Sequence, residues 1–257
     1  MPRALSQLYI GPLQGLAPPR VSAIPGPGTE AAHDLLDPLR LASRLEHVGA
    51  QHANGDRRAV ASLWSKWHFS GLMAHGLASN LLLERDLPLA LDDLHLETSP
   101  NGHTQQFILR HAGRPLAELA PHSRFATLLE GHLVPLVDAL VKVSGASPKV
   151  FWSNAGNYFE YFSRALVEHP MASTGVSDSA TALMESARLP DGRRNPLYRP
   201  VRYVLSTDSS TVSSPPRRVR RLCCIRYLIP ELEVCANCPL TCRRDPGTTR
   251  SRDGSCV

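Results

Sequence analysis

Residues 60–82 read VASLWSKWHFSGLMAHGLASNLL, and Val60, Leu63, Trp64, Trp67, Gly71, Ala74, Ala78, Leu81 and Leu82 recur three or four apart within them. That interval returns once per helical turn, so the stretch predicts an amphipathic helix with one apolar stripe turned to a core. Upstream, leucines and charges alternate at helical spacing from His33 to Gly49, and Gly49 supplies a stop. Downstream, residues 91–97 and 104–110 read as two strands around Thr98-Ser99-Pro100-Asn101-Gly102-His103, whose Pro-Asn-Gly is turn chemistry. A second stripe, Phe125, Leu128, Leu129, His132, Leu136, Ala139, Leu140 and Val143, contains Pro135, which should kink it or open a new helix. Residues 148–168 predict a third helix with Phe151, Ala155, Tyr158, Phe159, Phe162 and Leu166 on one side and Ser153, Asn154, Asn157, Tyr161 and Arg164 on the other. A fourth helix over 177–188 and a strand over 201–205 complete the pattern. The expected class is α+β: a predominantly helical body with a small antiparallel sheet and a C-terminal four-cysteine module.

At 257 residues the chain can bury a core without metal or disulfides. Its 42% apolar and 20% charged content is ordinary for a globular protein, which argues against wholesale disorder. The formal charge is +5, and Lys66, Lys142 and Lys149 are the only lysines. Such an excess suits an acidic partner, an anionic ligand or a membrane surface without choosing among them. Residues 1–30 are rich in Pro and Gly and predict an irregular lead-in; no signal-peptide core or membrane-spanning run is legible, so a cytoplasmic protein is expected.

All six cysteines lie at or beyond Cys223, which fits a local metal site in a reducing compartment better than a disulfide framework. Residues 206–216, small and polar and ending in Pro215-Pro216, predict a linker before a module at 217–242, and 243–257 reads as a disordered tail. Cys235-Ala236-Asn237-Cys238 lets a turn aim two sulfurs at one metal, and Cys223 and Cys224 can supply two more. Adjacent residues of an extended strand point to opposite faces, so the vicinal pair must lie in a turn or bulge. Such a pair is unusual among structural zinc sites, whose ligands come as two spaced knuckles. Cys242 and Cys256 read as spare thiols. His68, His75 and His132 fall on or beside apolar stripes and read as satisfied core histidines.

The pattern C-C-x10-C-x2-C formed by Cys223, Cys224, Cys235 and Cys238 resembles the signature of the FhuF family of ferric-siderophore reductases. The arginine-rich approach, Arg226-Tyr227, Pro239-Leu240 and the segment Val150-Phe151-Trp152-Ser153-Asn154-Ala155-Gly156-Asn157-Tyr158 are also similar to that family. The likeness runs over residues 55–240. It implies a [2Fe-2S] cluster on those four cysteines, a siderophore-recognition body over 31–205, and one-electron reduction of siderophore-bound Fe(III). Its partners would be a ferric siderophore and a separate electron-donor protein, since no dinucleotide or P-loop motif is present.

Arg218, Arg220, Arg221 and Arg226, with Asn154 and Asn157, are the expected docking residues for substrate or donor, beside the readings of a solvated basic strand and a wet helix face. A basic flank is also compatible with peripheral contact at an inner membrane or a siderophore transporter. The alternative is a zinc-binding, arginine-rich nucleic-acid-binding protein. No recognised nucleic-acid module supports it, and nucleic acid is not expected as a partner.

Overall fold

The computed structural model describes residues 5–117, 119–205 and 216–241. Short strands β1 (Arg20–Val21) and β2 (Thr29–Ala31) precede helices α1 (Pro38–Ala50) and α2 (Arg57–Leu83). Strands β3 (Arg85–Asp86), β4 (Leu94–Thr98), β5 (Thr104–Leu109) and β6 (Arg114–Pro115) follow. The second half holds α3 (Pro121–Arg124), α4 (Ala126–Leu128), a π-helical turn (Leu129–Leu133), α5 (Val134–Ser144), α6 (Pro148–Ala165) and α7 (Asp178–Glu185). Strands β7 (Val201–Val204) and β8 (Arg217–Arg220) follow, and a 3-10 turn (Arg226–Leu228) lies in the cysteine segment beyond them.

Helix starts follow local chemistry. Pro38 holds Asp37 in extended backbone, so a 3-10 turn at Ala32–Leu36 ends there and α1 begins afresh, with the Asp37 carboxylate accepting from Leu39 N and Arg40 N. Ser147 caps α6 in the same way, with Pro148 in its first turn. Pro135 does mark a break in the second stripe. It lacks the N–H that would close a regular turn onto Gly131, and the helix is wound as a π turn just before it.

The hairpin expected around Pro100-Asn101-Gly102 is β4 and β5, antiparallel from Leu94↔Leu109 to Thr98↔Thr104. The lead-in adds to it: β2 pairs antiparallel with β4, and β1 pairs parallel with β5, giving a mixed sheet in the order β1-β5-β4-β2. Leu8 and Leu13 are buried in the core, and His169 Nε2 bonds Leu8 O. Residues 5–13 therefore pack on the core, while 14–30 are mostly exposed.

Helix α2 is the central element and is buried almost all round rather than along one stripe. Trp67, expected on the core stripe, is the exception at 60% exposed; the helix packs on α6, α1, β3 and α5. Its most extensive contact is with α6.

Candidate metal centre

Strand β8 leads into the cysteine module and pairs antiparallel with β7, Arg220 opposite Val201 and Arg217 opposite Val204. Arg221 N then bonds Pro200 O, and the chain bends at 221–222. Ile225 takes a left-handed backbone with φ 53°, so Cys223 and Cys224 lie in the irregular turn that a shared site demands. Cys235 and Cys238 are joined by a turn closed by Cys238 N donating to Cys235 O at 2.9 Å.

All four are free thiols in one cluster, with Cys224, Cys235 and Cys238 buried and Cys223 half-buried. Cys224 Sγ lies 3.7 Å from Cys235 Sγ. Ile225 N donates to Cys223 Sγ at 3.3 Å and Leu240 N to Cys238 Sγ at 3.4 Å. Among the described residues, no three His, Cys, Asp or Glu side chains are arranged to hold a single ion. Four thiolates grouped in one short module are the donor set that a [2Fe-2S] cluster takes. Hydrogen bonds from Cys223 and then Cys235, with Arg220 and Lys66 nearby, hold the Cys224 thiol far below its ordinary value. The same bonds to Cys224, together with burial, push Cys223 and Cys235 upward.

The wall behind the thiols is built from α2 and α6. Ser62 Oγ donates to Cys224 O at 2.6 Å, and Ser153 Oγ donates to Leu222 O at 2.9 Å. Asn154 is fully buried, its amide donating to Ser62 O, Ser62 Oγ and Ser65 Oγ and its carbonyl accepting from Arg220 Nη2. Asn157 Oδ1 accepts from Arg218 Nη1 at 2.9 Å and from Nδ2 of Asn237, inside the Cys235–Cys238 turn, at 2.6 Å. Arg218 Nε donates to the buried Glu160 at 2.5 Å, and Tyr203 Oη donates to the other Glu160 oxygen.

Several docking expectations therefore change. Asn154 and Arg220 are fully buried, and Asn157 and Arg218 are bonded to each other, so these four are built into the contact between α6 and the cysteine module. On the polar face of α6, Ser153, Asn154 and Asn157 are buried against the module, while Tyr161 and Arg164 stay exposed. Arg226 is half-buried with its Nε enclosed and unpartnered, and Arg221 is exposed. Cys242, Cys256, the tail and all of the expected linker except Pro216 fall outside the described residues.

Lys66, which belongs to no site motif in the sequence, lies one turn beyond Ser62 and within electrostatic reach of Cys224 and Cys235, whose attraction opposes the downward pull of burial on its ammonium. Tyr158 also borders the site, its phenol pushed up by burial. Ser62, Ser65 and Lys66, three and four apart in an apolar helix, are a polar strip visible in the sequence.

The donor set passes a second test of fit. Arg220 is 0% exposed, and its Nε and Nη1 have no hydrogen-bond partner. A buried guanidinium with unmet donors beside four thiols is the environment an anionic iron-sulfur cluster would complete.

Residues 62–209, more than half of the chain, match the family model described as ferric iron reductase FhuF-like transporter. The chain belongs to the FhuF family. Residues 220–240 match the FhuF 2Fe-2S C-terminal domain, a span that contains all four described cysteines, and the cofactor is a [2Fe-2S] cluster. A ferric siderophore reductase of Escherichia coli (strain K12) is 28% identical to this FhuF-family chain over 187 residues, 72% of this chain and 67% of that protein. No helix among the described residues is long and apolar enough to cross a membrane.

Proposed function

We propose that this protein is a ferric-siderophore reductase in which Cys223, Cys224, Cys235 and Cys238 ligate the [2Fe-2S] cluster. The observation that carries this reading is the grouping of four free thiols against a buried, partly unpartnered guanidinium, within the stretch that matches the 2Fe-2S domain. The substrate class follows the name of the Escherichia coli relative.

Siderophores hold Fe(III) through hard oxygen donors, and Fe(II), with its lower charge density, is held far less tightly by the same groups. When bound, the cluster supplies the single electron that makes the difference. The chain's residues shape its delivery. Cys224, Cys235 and Cys238 keep one side of the site dry, while half-buried Cys223 opens the other side to the surface. Around that edge lie exposed Arg221 and half-exposed Leu222 and Tyr227, a basic and apolar rim suited to an anionic iron chelate with organic arms. Residues 217–242 carry the redox function and 31–205 support and complete the docking face. The electron comes from a separate donor protein, and Fe(II) is released into the cytoplasm, with the chain at most peripheral to the inner membrane.

The arginine run does not favour the nucleic-acid reading. Arg220 is enclosed and Arg218 is paired with Glu160, so the run is not a continuous strip for phosphates.

The test is an anaerobic visible and electron paramagnetic resonance spectrum before and after dithionite, followed by addition of a ferric siderophore with a ferrous chelator present. Loss of the reduced [2Fe-2S] signal with an equivalent amount of trapped Fe(II) is expected. Zinc-loaded, colourless protein after anaerobic reconstitution, or a reduced cluster untouched by the siderophore, would reject the reading.

A further inference from the structure

Arg220 combines complete burial with incomplete pairing. Its Nη2 donates to Ser153 Oγ at 3.1 Å and to Asn154 Oδ1, and Asn154 is fixed in turn by Ser62 and Ser65. A guanidinium is planar and rigid, so pinning one nitrogen fixes where the others face. Its backbone is held too: Arg220 N bonds Asn237 O at 2.9 Å, tying it to the Cys235–Cys238 turn, and its register on β7 is set opposite Val201. Nε and Nη1 remain, both buried and without a partner. No carboxylate among the described residues pairs with Arg220; Glu160, the buried acid on the same helix face, is taken by Arg218 and Tyr203.

A permanently charged group left this way is strongly disfavoured unless an anion completes it. Arg220 N is bonded to Asn237 O inside the Cys235–Cys238 turn, and Cys224 and Cys235 lie within its electrostatic reach, as do Lys66 and Tyr158. Four thiolates, two sulfides and two ferric ions make a dianion, and adding one electron makes a trianion. A fixed buried cation therefore favours the reduced form more than the oxidised one, and hydrogen bonds to cluster sulfur act in the same direction.

We infer that Arg220 is the buried counter-cation of the cluster, donating its two free N–H edges to cluster sulfur and holding the reduction midpoint up. It is a positioning residue, not one that meets the substrate. Lys66, from α2, contributes a second positive charge on the same side. The inference rests on the four-cysteine cluster proposed above.

The test is a potentiometric titration, followed by electron paramagnetic resonance, of wild type, Arg220→Lys and Arg220→Gln, each with its cluster quantified. Arg220→Gln should lower the reduction equilibrium constant at least tenfold, which for one electron is about 59 mV toward more negative midpoints. Arg220→Lys should fall between the two. A cluster-loaded Arg220→Gln with an unchanged midpoint would overturn the inference. Because that variant could fail to retain its cluster, the wild type is also prepared with guanidino-15N-arginine and its reduced cluster is measured by pulsed paramagnetic resonance. A weak 15N coupling is expected, and its absence in cluster-bearing protein overturns the inference by itself. Wild type with no cluster at all would instead reject the ligand assignment.

Discussion

Cys235 and Asn154 show how differently a functional residue can be visible from sequence. The cysteine is legible because thiols at a two-residue gap have few other uses, and Cys235→Ser is expected to abolish the visible absorbance of the cluster and reductase activity together while the apo fold persists. Absorbance at wild-type intensity in that variant would remove Cys235 from the ligand set. Asn154 stands out in the sequence only as a polar side chain, and its burial is invisible there because the residues that bond it lie sixty or more positions away. Its replacement by leucine would remove its hydrogen bonds to Ser62 O, Ser62 Oγ, Ser65 Oγ and Arg220 Nη2 at once. Each unmet buried donor or acceptor costs about 1–3 kcal/mol, so Asn154→Leu should lower the unfolding free energy by several kcal/mol and sharply reduce cluster retention. Chemical denaturation of the apo-protein checks the first effect, and iron content per chain checks the second. At the rim, Arg221→Glu should leave the spectrum of the cluster unchanged while weakening reduction of anionic ferric siderophores, read as a raised KM with little change in kcat.

The elements themselves were largely legible. The hairpin at 94–109 and the helices containing residues 60–82 and 148–165 follow from period and turn chemistry, since these signals are local. What escaped is the pairing of elements far apart in sequence: β1 and β2 joining the sheet, β8 pairing with β7, and the module covering Ser153, Asn154 and Asn157 of α6. That last contact depends on Gly156. An added Cβ there would sit 2.6 Å from Pro200 Cβ, and Pro200 O is the acceptor for Arg221 N at the entrance to the cysteine turn. In an exposed helix Gly→Ala gains about 1 kcal/mol from propensity. Here the overlap, typically about 1–3 kcal/mol for an overpacked core site, reverses the sign. Gly156→Ala is expected to lower Tm and loosen the cluster. A thermal melt followed both by far-ultraviolet dichroism and by cluster absorbance would show it, and a raised Tm would mean that Pro200 gives way freely.

At the scale of the whole molecule, the buried histidines tie stability to pH. His132 Nδ1 donates to Leu89 O at 2.6 Å, so its Nε2 is the acceptor for His68 Nε2–H at 2.8 Å, and His68 Nδ1 accepts from Thr104 Oγ1. His75 Nδ1 accepts from Tyr9 Oη at 2.6 Å, clipping the N-terminal segment to α2. This arrangement has no place for an added proton. Burial holds His75 and His132 down to about 4, and burial with the neighbouring His132 holds His68 well below its ordinary value. In the unfolded chain these rings titrate near 6.5. Above that pH they are neutral in both states and their full contribution is present. As pH falls below 6.5 the unfolded chain takes up protons that the folded one refuses, so stability drops until about pH 4, where His75 and His132 charge in the folded state as well. The interval is worth about 3 kcal/mol for a single such histidine. The unfolding free energy, measured by denaturant titration in steps from pH 7 to pH 4.5, should therefore fall steeply below 6.5. The paired replacement Tyr9→Phe with His75→Leu removes one of these rings without stranding its partner, and its stability should fall less steeply over the same range. Identical slopes for the two proteins would mean that His75 is not held neutral by the fold.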